Sequence, residues 1–331
     1  MRLFVCEFIT GGGMRSQELS PPLLHDANLM IDALLADLRE LQRFELTTTR
    51  DDRLPARTES VARIGKQDQT WDVWFRCLRE SDAAWFIAPE TDGILLQIRE
   101  MADRAGCRFL GCGPDAIRIT SSKKACADHF KKSGIRIIPT AYVTDGLPYS
   151  DSGWVIKPDD GAGSEATYFF NSESQFEAWK KMETAPERFI AQPYVDGIPA
   201  SLSVVYHEGR SRLLAANLQH VRFIGGVAVH EGITVNGMAQ QKEELQKLAG
   251  EIGRRLCGLE GYVGIDLILT AAGPVLVEIN PRLTTSYAGL SRSLDCNAAE
   301  MILGYTGVLG PVEAGKFQSP FRPVSLHYQH V

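Results

Sequence analysis

Apolar residues gather first at Leu3-Phe4-Val5-Cys6 and Phe8-Ile9, which predicts a buried strand closed by a loop at Thr10-Gly11-Gly12-Gly13. Positions 29, 30, 33, 34, 38 and 41 are apolar at helical spacing, and Phe44–Thr49 is rich in β-forming residues. A helix is expected over Trp71–Glu80, a short strand over Ala83–Ala88, a helix over Asp92–Ala105 and a strand over Arg108–Gly111. Strands alternating with helices imply a layered α/β domain with a parallel sheet. The pattern then changes. Thr120–Ser133 reads as one polar helix carrying Lys123, Lys124, Lys131 and Lys132 and closed by Gly134. Ile135–Thr140 leads into a strand, Trp154–Pro158 is another, and Phe176–Met182 is amphipathic. Beyond Phe189 the chain is strand-rich, at 189–195, 200–206, 212–218, 262–269 and 275–279, with a helix at Lys242–Leu256. The expected division is an N-terminal α/β domain (1–116), a small α+β lid (117–190) and a C-terminal α+β domain (191–331).

Composition narrows the class of molecule. The 331 residues include 35 Lys and Arg against 41 Asp and Glu, a net charge of −6, with 44 % apolar and 23 % charged. That is globular composition, and it lacks the positive field of a nucleic-acid-binding surface. Seven cysteines, none spaced C-x-x-C, argue against a disulfide framework or a thiolate zinc site. Glu7 interrupts the first apolar run, so no signal peptide is expected, and no stretch is long enough to cross a bilayer. A soluble cytoplasmic protein is the expectation.

Three stretches carry chemistry. Gly264–Leu269 and Val275–Arg282 flank Ala271-Ala272-Gly273-Pro274 and predict a hairpin. Alternation puts Glu278 and Asn280 on one face, and a loop over 270–274 sets Asp266 opposite Glu278. Such an all-oxygen cluster suits Mg²⁺, although a hairpin with both carboxylates in solvent fits the same pattern. Second, Lys157 ends an apolar strand before Asp159-Asp160-Gly161-Ala162-Gly163-Ser164, whose glycines would let backbone N–H groups approach an anion. A surface turn with a snorkelling lysine is the competing reading. Third, Phe189–Gly197 contains Gln192-Pro193-Tyr194-Val195; Pro193 suits an edge strand.

In this order the three stretches resemble the ATP-grasp ligase superfamily. The resemblance implies the ATP-grasp fold, with ATP between the lid and the C-terminal domain. It implies that Lys123, eleven residues before Gly134, and Lys157 bind the ATP phosphates with Gly161, Gly163 and Ser164. Lys124 beside Lys123 leaves the phosphate lysine open by one position, and Ser122 stands where the family often has Asp. The hinge at Gln192, Tyr194 and Val195 would hold adenine, and Asp266, Glu278 and Asn280 would hold two Mg²⁺, with Mn²⁺ as a substitute. Arg282 would steady the transferred phosphoryl group. The implied activity is amide formation from a carboxylate and an amine through an acyl phosphate, with release of ADP. Glu7-Phe8-Ile9-Thr10-Gly11-Gly12-Gly13 and Asn280–Tyr287 are similar to the tyramine–L-glutamate ligases of methanofuran biosynthesis, which join the γ-carboxylate of glutamate to tyramine.

Gly11, Gly12, Gly13 and Arg15 are then candidates for a substrate carboxylate, and His220, Arg222 and Gly225, read as loop residues with Gly226 and His230, for other substrate contacts. Small-molecule substrates are expected, with no nucleic acid or membrane partner; a homodimer is compatible. An N-carboxylating ATP-grasp enzyme is the alternative within the superfamily. A dinucleotide-binding oxidoreductase is the alternative outside it, but Gly11-x-Gly13-x-x-Ser16 departs from G-x-G-x-x-G. A non-catalytic nucleotide-binding module would be expected to lack the metal ligands, and all three are present.

Overall fold

The computed structural model describes residues 1–57, 60–161, 166–310 and 322–328. Its first part contains β1 (Arg2–Glu7), α1 (Pro21–Glu40), β2 (Glu45–Asp51), β3 (Ser60–Ile64), α2 (Thr70–Arg79), β4 (Ala83–Ile87), α3 (Ile94–Ala105) and β5 (Arg108–Phe109). The strands form a parallel sheet in the order β3-β2-β1-β4-β5. Strand order reverses between β1 and β4, the switch point at which open α/β sheets leave a crevice beyond their strand ends. Glu7 closes β1, and Glu90 follows shortly after β4. The expected loop after β1 is instead a π-helical turn over Ile9–Gly13. Glu7 holds it, its carboxylate accepting from the N–H groups of Ile9 (3.0 Å) and Thr10 (2.7 Å). β3 was not expected from the apolar pattern.

The rest of the chain builds one antiparallel sheet. Its elements are α4 (Pro114–Thr120), α5 (Lys123–Phe130), β6 (Ala141–Tyr142), β7 (Trp154–Pro158), β8 (Tyr168–Phe170), α6 (Glu173–Met182) and β9 (Phe189–Pro193). There follow β10 (Ile198–His207), β11 (Arg210–Ile224), β12 (Val227–Val235), α7 (Lys242–Arg255), β13 (Gly261–Thr270), β14 (Gly273–Asn280), α8 (Tyr287–Leu294), α9 (Ala298–Tyr305) and β15 (Val324–His327). The strand order is β14-β13-β10-β11-β12-β8-β7-β9-β6, with β15 on β12. The single polar helix expected over Thr120–Ser133 is two helices. The second starts where Ser122 caps it, its hydroxyl accepting from Ala125 N–H at 2.9 Å.

The lid strands β6 to β9 enclose a small core of their own, with Val143, Trp154, Ile156, Phe176, Phe189 and Ala191. One residue pair, Tyr168 with Val227, joins β8 to β12. Two larger apolar clusters each draw on both sheets. Helices α8 and α9 pack back onto α1, where buried Asp37 accepts from Tyr287 Oη (2.6 Å) and Ser291 Oγ (2.9 Å). Among the described residues no helix is long and apolar enough to cross a membrane.

Candidate active site

The floor is the β13–β14 hairpin. Asp266 faces Glu278 and Gly264 faces Asn280, as the sequence predicts. The turn, however, is shorter than the five residues expected. Thr270 pairs with Gly273, and an extra residue, Val277, bulges from β14 between Asp266 and the turn. The shorter turn and the bulge offset one another, so the register at Asp266 is unchanged. Asn280 Nδ2 donates to Asp266 Oδ2 (3.1 Å), and Gln219 on β11 donates to Oδ1 (2.9 Å). Gln219 was not anticipated, although it lies in a stretch that alternates apolar and polar residues.

Two lysines descend on this floor. Lys157 at the end of β7 places Nζ 3.2 Å from Glu278 Oε2, and Lys123 at the start of α5 places Nζ 3.5 Å from the same oxygen. Lys123 also donates to the carbonyls of Gly161 (2.7 Å) and Asp159 (3.3 Å). Lys124 turns outward to pair with Asp128, so Lys123 is the lysine that faces the floor. Burial alone would raise the Glu278 carboxyl, but the charges of Lys123 and Lys157 outweigh it and hold the group down at about 2. Burial and the neighbouring Glu278 push Asp266 up to about 7. Burial lowers Lys157, and the Glu278 charge partly restores it. The centre is therefore a compact set of opposed charges partly shielded from water.

Arg282 leaves the hairpin and crosses to the switch point of the parallel sheet. Its Nε and Nη2 donate to Glu90 Oε2 at 3.0 and 2.9 Å, and Nη1 donates to Leu283 O at 3.1 Å. The lid contacts the same place. Thr91 Oγ1 donates to Asp160 O (3.0 Å), Asp92 N–H donates to Asp160 Oδ2 (3.0 Å), and Arg188 pairs with Asp92 (2.9 Å). The base of the Gly-rich loop thus rests on the N-terminal domain. Gly163 and Ser164 lie outside the described residues.

Gln192 is buried on β9, donating from Nε2 to Thr140 Oγ1 (2.9 Å). The expected strand to Val195 ends at Pro193, so Tyr194 and Val195 lie just beyond it. Tyr194 N–H is taken by Gly153 O (2.9 Å), and its ring packs against Phe169 and Phe223.

The Gly11–Gly13 turn is built for packing. A Cβ on Gly11 would lie 2.6 Å from Cys6 Sγ, one on Gly13 would lie 2.5 Å from the Phe8 ring, and Gly12 has φ +98°. Gly11 O accepts from Thr49 and Trp74, and Gly12 O from Thr70. Arg15 is engaged by Asp52 (2.7 Å) and Asp51 (3.6 Å). His220 and Arg222 do not lie on a loop, as expected, but on β11. His220 bonds Thr234 across the sheet (2.8 Å) and Arg222 pairs with Glu231. Gly225 and Gly226, both at positive φ, make the two-residue turn to β12.

Comparisons with known proteins align with this geometry. A family model described as an ATP-grasp domain matches residues 120–286, and one described as a pre ATP-grasp 3 domain matches residues 44–117. A tyramine–L-glutamate ligase of Methanocaldococcus jannaschii is 24% identical over 276 residues, 81% of this chain and 79% of that protein. Its counterpart in Methanocaldococcus fervens is 28% identical over 212 residues, covering 63% of this chain and 61% of that one. The fold is similar to a crystal structure of an ATP-grasp superfamily protein from Archaeoglobus fulgidus, with TM-score 0.74, 24% identity, and 95% and 89% of the two chains covered.

Proposed function

The chain belongs to the ATP-grasp family, and from that premise we propose that it is an ATP- and Mg²⁺-dependent carboxylate–amine ligase joining L-glutamate to tyramine or a related aromatic amine. The observation that carries this reading is the convergence of Lys123 and Lys157 on Glu278, with Asp266 and Asn280 beside it and Arg282 leaving the same hairpin. Two lysines on one carboxylate form an arrangement that a polyphosphate can take over. The names of the Methanocaldococcus relatives support the substrate pair; the place proposed with it is methanofuran-type biosynthesis.

Asp266, Glu278 and Asn280 fit a hard divalent cation, because their donors are oxygens and the two opposed carboxylates repel. When bound, Mg²⁺ would offset the charge of the phosphate oxygens. The chain's own residues do the rest. Lys123 and Lys157 would exchange Glu278 for phosphate oxygens. Tyr194, Val195 and the Gln192 backbone would border the adenine. Arg282 retains one N–H on each terminal nitrogen after its bonds to Glu90 and Leu283, a fork suited to phosphate. A carboxylate oxygen attacks the γ-phosphorus and ADP departs. The amine then attacks the acyl carbon, inorganic phosphate leaves, and the amine loses a proton. The lid, seated on Thr91 and Asp92, keeps water from the acyl phosphate.

The test is ADP release and product mass with ATP, Mg²⁺ and a panel of carboxylates and amines. The expected result is ADP that depends on both L-glutamate and tyramine, with a product at the mass of their amide. Release of AMP, or ADP that depends on bicarbonate in place of an amine, would overturn the proposal.

A further inference from the structure

The Arg282–Glu90 pair is incomplete on one side. Glu90 is 6% exposed, and both hydrogen bonds from Arg282 go to its Oε2. Its Oε1 is buried and meets no donor among the described residues. A buried carboxylate oxygen without a donor is costly, and such atoms are rare unless a water, an ion or a ligand completes them. Glu7, by contrast, is satisfied by the N–H groups of Ile9 and Thr10. It lies close enough to feel the charge of Arg282. Two carboxylates therefore lie near one guanidinium, only Glu90 is hydrogen-bonded to it, and the open oxygen is on Glu90.

The position is equally specific. Glu90 lies at the switch point of the parallel sheet, and Thr91, the next residue, is where the lid base rests. A ligand at Oε1 would sit against Arg282 and under the lid. A hydroxyl or amide would supply a hydrogen bond there but leave the extra negative charge. A primary ammonium supplies both donors and charge.

We propose that Glu90 Oε1 receives the primary ammonium group of one of the two substrates, either the α-ammonium of an amino-acid donor or the ammonium form of the acceptor amine. The inference rests on the ligase reading and adds to it a residue that selects the substrate. Glu90→Gln isolates the role, because the amide can keep an oxygen on Arg282 while turning N–H groups toward the ligand.

The experiment uses the full chain with ATP and Mg²⁺ and compares wild type with Glu90→Gln. L-glutamate is set against glutarate as donor, and the KM for tyramine against the inhibition constant of its des-amino analogue, which binds without reacting. The expected result is a KM raised about tenfold or more for the one substrate whose ammonium is bound, with the KM for ATP unchanged. A rise for L-glutamate identifies the donor as the source, and a rise for tyramine the acceptor. Loss of kcat with both substrate KM values unchanged would overturn the inference and leave Glu90 as a positioning residue for Arg282. If Glu90→Gln does not fold, Glu90→Asp, which keeps the charge but withdraws the oxygen, is read by the same criteria. If wild type makes no product with any pair, the ligase reading fails. Thermal shift with the same compounds then decides: stabilisation of wild type but not the variant by an ammonium-bearing compound supports the site, and equal responses overturn it.

Discussion

Replacing Glu278 by Gln removes one charge from between two. Its Oε2 lies 3.2 Å from Lys157 Nζ and 3.5 Å from Lys123 Nζ. At an effective dielectric constant of about 20, each attraction is on the order of 5 kcal/mol before desolvation. The two ammonium groups, bound to one oxygen, can be no farther apart than about 7 Å, and their repulsion of roughly 2–3 kcal/mol is then unopposed by Glu278. Desolvation offsets much of the attraction, and breaking a buried pair on one side typically costs about 3–5 kcal/mol. For a chain of this size the melting temperature should fall by roughly 4–7 °C without nucleotide or metal. Lys157, already lowered by burial, should shed its proton more readily. The double variant with Lys157→Met should recover part of the loss, since removing both partners is milder than removing one. Differential scanning fluorimetry of the single and double variants reads the stability, and ADP release reads a drop in turnover of at least about tenfold. A Glu278→Gln protein melting within about 2 °C of wild type would refute the charge argument. Unchanged turnover would refute the assignment of the site.

Three further outcomes follow from other contacts. Gly11→Ala forces a methyl against Cys6 Sγ and Thr49 Oγ1, at 2.6 and 2.9 Å, and should cost about 1–3 kcal/mol in chemical denaturation. Asp160→Ala removes the acceptor for Asp92 N–H and a partner of Arg188 at the lid base; exposed contacts of this kind are worth about 0.2–1 kcal/mol, so ADP release without amide should rise by up to about fivefold. Burial tends to raise Asp51, but Arg53 and Arg15 prevail and hold its carboxyl below the ordinary range. It therefore contributes stability above its unfolded pKa that is lost as pH falls through the folded value. The melting gap between wild type and Asp51→Asn should be widest near neutral pH and close in acid, and a gap constant with pH would contradict this.

Much of the site was legible in the sequence because it is local. The alternation of Gly264–Leu269 and Val275–Asn280 fixed which residues share a face, and the apolar context of Lys157 marked a lysine held where ammonium groups are rarely placed. The partners of these residues were not legible. Glu90 meets Arg282 across 192 positions, and Gln219 meets Asp266 across 47; neither separation leaves a periodic trace. The β11–β12 hairpin was hidden for another reason. His220-Val221-Arg222-Phe223 alternates, and Gly225-Gly226 is a hairpin turn, but the density of polar residues and glycines suggested a loop. Helix α9, apolar almost all round, lacked a clear amphipathic stripe because it is sandwiched between α1 and strands β10 and β13.

The bulge at Val277 has an evolutionary consequence. Because a strand repeats every two residues, a one-residue insertion or deletion between Asp266 and Glu278 must either be absorbed by a second change or turn Glu278 and Asn280 away from Asp266 together. A single in-frame codon at this tip would then undo the oxygen cluster, without substituting any of its members, unless the turn or the bulge takes up the extra residue. Descendants of this chain should tolerate sequence drift at Ala271 and Ala272 far more readily than drift in length. Paired length changes that preserve the register should be the ones that survive.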